Sequence, residues 1–314
     1  MAILRRFAAV CFAPAAFALA GCGGGGPCTL GAAADLPVTT QHHAYYTDIT
    51  INNGQAHLQV DTGAFANVLS EAAATRLGMT QQMLPRPTTL VGVGTGNRLL
   101  GLAMSDRVQV GAAHGEHVAF MTTDAAMFAP GIDGQLGMDF MAKYDDDLDF
   151  AGGHVRLVAA HGDCSTPASP LPQPVYSVPL LRNGESDSPA VEVSIHGVKM
   201  RAVIDTGAVT TLLFRPAAER IGLPVDALFA ASSAKVGGAG RHPARAALGW
   251  LNLPVQVGGL ELNHMPVAIA DQRGPGGVDL LLGYDFVTLV HVWLSHSSHS
   301  VLMQYPARPT PVAR

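Results

Sequence analysis

The chain has 314 residues, 48% of them apolar and 14% charged, with a formal net charge of −5. That length and apolar content suffice for two domains with sizeable cores, while the acidic balance and the lack of a basic cluster exclude a nucleic-acid-binding surface. The 35 glycines and 21 prolines favour turns and short strands over long helices.

Residues 1–22 read as a secretory signal. Arg5 and Arg6 precede an apolar run from Phe7 to Ala20, and the segment ends in Leu19-Ala20-Gly21-Cys22. That ending resembles a bacterial lipobox, whose cysteine is acylated and becomes the mature N-terminus. The resemblance implies a lipid on Cys22 and a membrane anchor. Gly23, rather than Asp, after the cysteine implies the outer membrane, facing the periplasm. An ordinary cleaved signal or an uncleaved anchor is the alternative. No other run is apolar and long enough to span a bilayer. Residues 23–44 read as a flexible Gly/Ala-rich tether. Cys11 leaves with the signal, so Cys28 and Cys164 remain in an oxidising compartment where they could pair.

Residues 45–160 and 175–305 read as two related units, joined by the Pro/Ser-rich linker 161–174 and followed by a Pro/Arg tail, 306–314, read as disordered. Each unit opens on an alternating strand, TDITINN or AVEVSIHG. A second strand then runs into Asp61-Thr62-Gly63-Ala64 in one unit and Asp205-Thr206-Gly207-Ala208 in the other. A short helical segment ending at glycine follows, SEAAATRLG or RPAAERIGL. Glycine-rich stretches come next, Val91 to Gly96 and Val236 to Gly240. Near each end lies an apolar-Gly-x-Asp-Phe element, Leu136 to Phe140 and Leu282 to Phe286. The two aspartates are 144 residues apart and the glycines of the late elements 146 apart, so the features keep register as an internal repeat. Short alternating strands with few, brief helices make this an all-β or nearly all-β chain.

A single Asp-Thr-Gly reads as a hairpin turn. Two copies at equivalent repeat positions, each between apolar strands, read as one shared pair of carboxylates. Together with the glycine-rich stretches and the apolar-Gly elements they resemble the pepsin/retropepsin superfamily of aspartic proteases, over nearly all of the mature chain. The resemblance implies a bilobal acid-protease fold, mainly β, with two pseudo-symmetric β-barrel-like lobes in one chain, a monomer. It implies Asp61 and Asp205 as the catalytic dyad of an aspartic endopeptidase, with no cofactor and no metal, acting on an extended peptide or protein substrate. Thr62 and Thr206 would bond the opposite loop through their hydroxyls. Gly63 and Gly207 would let backbone approach the carboxylates without a Cβ. Gly92, Gly94, Gly237 and Gly238 would lie in flaps closing over the substrate. Alanine after each Asp-Thr-Gly is similar to the retroviral branch. Pepsins carry a hydroxyl there that favours the ionised dyad, so its absence implies a less acidic optimum.

The alternative is a catalytically silent peptide-binding or scaffold lipoprotein on the same fold. Asp139 and Asp285 read as N-caps of the short segments that follow them. Asp145-Asp146-Asp147 reads as a solvated acidic turn rather than a calcium loop. The histidines, including His291, His296 and His299, read as surface or core groups without metal-ligand spacing. Trp250 and Trp293 read as core.

Overall fold

The computed structural model describes residues 26–89, 92–94, 98–124, 127–166, 171–172, 174–183, 186–232, 234–238, 242–251 and 254–305. The signal segment, Cys22 and the Pro/Arg tail lie outside them. Among the described residues the chain forms two lobes, each built on a ten-stranded sheet, and a six-stranded sheet that joins them. The fold is mainly β and bilobal, with short helices only.

The lobes repeat one pattern. In the first, the hairpin of strands Ala44–Ile51 and Gly54–Val60 is antiparallel, with Ile49, Ile51, Ala56, Leu58 and Val60 buried. The alternation of these residues follows the period of a strand with one face in the core. Strand Gly134–Leu136 runs parallel to Gly54–Val60 and antiparallel to Val68–Ser70. In the second lobe, Leu280–Leu282 runs parallel to Val198–Ile204 and antiparallel to Leu212–Phe214. Each Asp-Thr-Gly therefore leaves the end of a strand held in mid-sheet. Asp61 N–H donates to Leu136 C=O (3.0 Å) and Asp205 N–H to Leu282 C=O (2.9 Å). The expected helical segments form as Glu71–Arg76 and Arg215–Arg220. Ser70 caps the first by accepting from Ala73 N–H (3.1 Å).

The joining sheet corrects two expectations. Residues 23–44 are not a flexible tether where they are described: Thr29–Pro37 is a strand pairing antiparallel with His154–His161, with Ala34 and Leu36 buried. Cys28 and Cys164 form a disulfide at the open end of that pair, closing a sequence separation of 136. The 161–174 segment contributes Cys164 to this bond and buries Leu171 against Trp293.

Nor is the acidic run a solvated turn. Asp145–Asp149 is a strand, and Asp145, Asp146 and Asp147 are buried. It pairs with His291–Ser295 of the second lobe, so it stitches the lobes together. Partners from both lobes hold the carboxylates. Asp147 meets Arg156 (3.1 Å) and His291, Asp146 pairs with His296 at 3.4 Å, and Asp145 accepts from Ser295 (3.0 Å) and Ser297 (2.9 and 2.7 Å). Two of the histidines thus have carboxylate partners that their spacing in the sequence conceals. Among the described residues no group of histidine, cysteine or acidic side chains could hold a metal ion. Trp293 is buried as expected.

Candidate active site

The two Asp-Thr-Gly loops meet at the lobe interface and lock. Thr62 Oγ1 donates to Ile204 C=O (2.6 Å) and accepts from Thr206 N–H (3.1 Å). Thr206 Oγ1 donates to Val60 C=O (2.7 Å) and accepts from Thr62 N–H (3.0 Å). Both threonines are fully buried, so each hydroxyl satisfies two backbone groups that water cannot reach.

The glycines set the approach of the carboxylates. A Cβ on Gly63 would lie 2.3 Å from Asp205 Cγ, and one on Gly207 2.4 Å from Asp61 Cγ. Each carboxyl thus packs on the opposite loop's backbone, where only glycine leaves room. Ala64 N–H donates to Asp61 Oδ1 (3.0 Å). Asp205 Oδ1 accepts from both Gly207 N–H (2.9 Å) and Ala208 N–H (3.1 Å). Burial raises both carboxyls above the ordinary range, and the neighbouring Asp205 carboxylate pushes Asp61 further, well above it. The backbone donors pull the other way. The two carboxyls titrate as a pair, both displaced upward.

Further side chains fix these loops, and sequence reasoning missed them. Gln59 Nε2 donates to Gly207 C=O across the interface (3.1 Å), and Ser188 Oγ to Gly63 C=O (3.1 Å). Asp139 and Asp285 are not N-caps. The caps are Gly137 and Gly283, and each aspartate lies inside the first helical turn. Asp139 instead accepts from Asn67 N–H (2.9 Å), while Asn67 Oδ1 accepts from Gly137 N–H (2.9 Å). Asp285 likewise accepts from Thr211 N–H (2.9 Å), and Thr211 Oγ1 from Gly283 N–H (3.2 Å). Each late element therefore clamps the chain just after its own dyad loop. Asn67 and Thr211 stand at the 144-residue repeat offset, which was the available signal.

A cleft of about 880 Å³ opens above the pair, lined by Asp61, Asp205 and mostly apolar side chains from both lobes. Phe65 and Val209, at equivalent positions after the two loops, are 47% and 48% exposed within it. The first glycine-rich stretch lies at the end of the hairpin Thr80–Thr89 and Arg98–Met104. Gly92 and Gly94 flank Val93, which lines the cleft, and so do Gly237 and Gly238 of the second stretch. Val91, Gly96 and Gly240 lie outside the described residues.

A family model described as aspartyl protease matches residues 47–140 and again 191–286. The chain belongs to the aspartyl protease family. Its double match falls on the two lobes, with one Asp-Thr-Gly in each. Among solved structures the chain is similar to the aspartic proteinase from Irpex lacteus, at 11% identity and a TM-score of 0.57, covering 91% of this chain and 100% of that one. That likeness is one of fold. No curated protein matches the sequence.

Proposed function

We propose that this aspartyl protease family member is an active endopeptidase whose dyad is Asp61 and Asp205. The observation that carries the reading is the pair itself: two partly buried, interacting carboxyls, each seated on the opposite loop's glycine at the floor of a cleft. Two carboxylates that close cannot both ionise easily, so one proton is shared. The ionised member of the pair acts as the base that takes a proton from water. The protonated member gives its proton to the scissile carbonyl oxygen as water attacks the carbon. The tetrahedral diol then collapses, the amide nitrogen is protonated by the dyad, and the C–N bond breaks without an acyl-enzyme. Both lobes line the cleft with apolar side chains, which suits an extended peptide.

In the same proposal the enzyme is lipid-anchored through Cys22 in the bacterial envelope, on the periplasmic side of the outer membrane, and works as a monomer. The lobes would be 45–160 and 175–305. The Leu19-Ala20-Gly21-Cys22 ending supports the anchor.

Incubation with a diverse peptide library from acid to neutral pH tests the chemistry. The wild type should cleave, and Asp61→Asn and Asp205→Asn should each abolish cleavage while unfolding cooperatively. A wild type that cleaves nothing defeats the catalytic reading. Retention of a peptide without cleavage would favour a binding protein on the same fold.

A further inference from the structure

The flap tip is fastened to the other lobe by one side chain. Gln272 follows the strand Met265–Ala270 of the second lobe. Its Oε1 accepts from Gly94 N–H (3.1 Å), and its Nε2 donates to Gly92 C=O (3.4 Å). A side-chain amide sets an N–H donor beside a C=O acceptor in the spacing of a peptide group. Gln272 therefore meets the two backbone groups flanking Val93 much as a neighbouring strand would. Val93 itself is only 8% exposed and sits in the second lobe's apolar cluster with Val203, Leu212 and Leu281. Gly238 presses on it from the second glycine-rich stretch, where an added Cβ would come within 2.9 Å of Val93 Cβ. The first lobe's tip thus spans the cleft and ends inside the second lobe's wall.

The repeat does not carry a glutamine at the equivalent position of the first lobe's sequence. Asp271 matches Asp124, each closing an equivalent strand, but Asp124 is followed by Ala125 where Asp271 is followed by Gln272. Alanine has no amide with which to hold a tip.

We propose that Gln272 is a positioning residue that latches the Gly92–Gly94 tip of the first lobe across the cleft. Gln272 acts on substrate through the flap and touches no reacting atom. When the latch is made, Val93 completes the apolar wall that the second lobe presents to the cleft. Only the kinetic arm of the test rests on the peptidase reading.

Hydrogen exchange of the Gly94 amide, followed by NMR, reads the latch without catalysis. In Gln272→Leu, which keeps the bulk and loses both bonds, exchange should quicken about tenfold relative to wild type, the worth of two net hydrogen bonds. Gln272→Glu gives a signature that a packing role cannot produce. Below its carboxyl pKa, about 4.3, that side chain again offers a donor and an acceptor, so protection returns. Above it the anion faces the Gly92 carbonyl oxygen, and protection weakens. Unchanged Gly94 exchange in Gln272→Leu overturns the latch, and so does a Gln272→Glu variant that tracks Gln272→Leu at every pH. In peptide cleavage, Gln272→Leu should lower kcat/KM by about tenfold, mostly through KM. Faster exchange with unaltered kcat/KM overturns the positioning role. Absence of cleavage by the wild type defeats the peptidase reading, and the exchange measurement still decides the latch.

Discussion

Replacing Thr62 with valine isolates the lock between the lobes. Valine matches threonine in shape, so the change leaves no cavity and removes only the hydroxyl. Two groups of the opposite loop then lose their partner: Ile204 C=O, which accepted at 2.6 Å, and Thr206 N–H, which donated at 3.1 Å. Water cannot replace them, because Thr62 and Thr206 are fully buried. Each buried group left unpaired costs about 1–3 kcal/mol, so Thr62→Val should cost about 2–6 kcal/mol. That is a large share of the ~5–15 kcal/mol that holds a typical domain together. Thr62→Ser is the control. It keeps both bonds and loses one methyl, at about 1 kcal/mol. Thr206→Val should mirror the effect through Val60 C=O and Thr62 N–H. The double variant should cost less than the two singles together, since a loop freed by the first change can re-pair its groups before the second. Urea unfolding, monitored by tryptophan fluorescence, measures all four proteins. If Thr62→Val costs no more than Thr62→Ser, the hydroxyls do not hold the lobes together and the argument for the lock is wrong.

Both dyad carboxyls are raised by burial, so each binds its proton more tightly folded than unfolded. Stability from this source is present at low pH and is lost as pH rises past the unfolded value of about 3.9. Asp61→Asn should therefore raise the Tm, with a gain larger at pH 7 than at pH 3; thermal scans at the two pH values check the sign. In the joining sheet Asp146 is raised to about 6 by burial, and its partner His296 is also raised, by the bond and charge of Asp146 overcoming burial. Both shifts make unfolding easier as pH climbs, the carboxyl's from about 4 to about 6 and the histidine's above its ordinary value of about 6.5. The carboxyl's share is on the order of 3 kcal/mol for about two pKa units. Asp146→Asn should flatten that slope in urea titrations, and an unaltered slope would refute it. Cutting the disulfide with Cys28→Ser and Cys164→Ser reopens a loop of sequence separation 136. The chain-entropy estimate is about 5 kcal/mol, the top of the usual range. A loss below about 1 kcal/mol in urea would mean that the strand pairing alone closes the loop.

What could be read from the residues was what repeats. The paired Asp-Thr-Gly loops, their strands and the helices Glu71–Arg76 and Arg215–Arg220 recur at one offset, and each copy supports the other. What escaped was long-range compensation. Three consecutive aspartates look like surface because their partners, Arg156, His291, Ser295 and Ser297, come from a hairpin strand and from the other lobe. The Gly/Ala-rich segment after Cys28 looks slack because a strand of small residues gives little alternation. Its order comes from the backbone of His154–His161 and from the disulfide. Asp139 and Asp285 look like caps because they start short helices. Their carboxylates turn instead to Asn67 and Thr211, a contact that only the folded sheet brings within reach.

The departures from the repeat carry the chemistry that symmetry cannot. A pair of identical loops on a perfect twofold axis would hold two equivalent carboxyls, and neither would be the standing acid or base. Here the loops match in backbone and differ in what surrounds them. Gln59 reaches over to Gly207 C=O, whereas the equivalent Val203 has no polar group to return the contact. Ser188 holds Gly63 C=O, whereas its counterpart is Ala44. Gln272 grips the first lobe's flap, and the sequence has alanine at the equivalent position of the other repeat. All of these differences lie within or above the dyad, and the threonine lock beneath it stays symmetric. Fusion of two halves in one chain lets the site divide its labour while the lock keeps the geometry that both halves need. A bell-shaped kcat/KM profile with two separated pKa values is the expected mark of that division. Asp205→Asn, which removes the neighbouring charge, should leave Asp61 titrating alone in an NMR carboxyl experiment, closer to the ordinary range. If Asp61 stays as high in that variant as in the wild type, burial alone sets its proton, and the neighbouring charge is not what divides the pair.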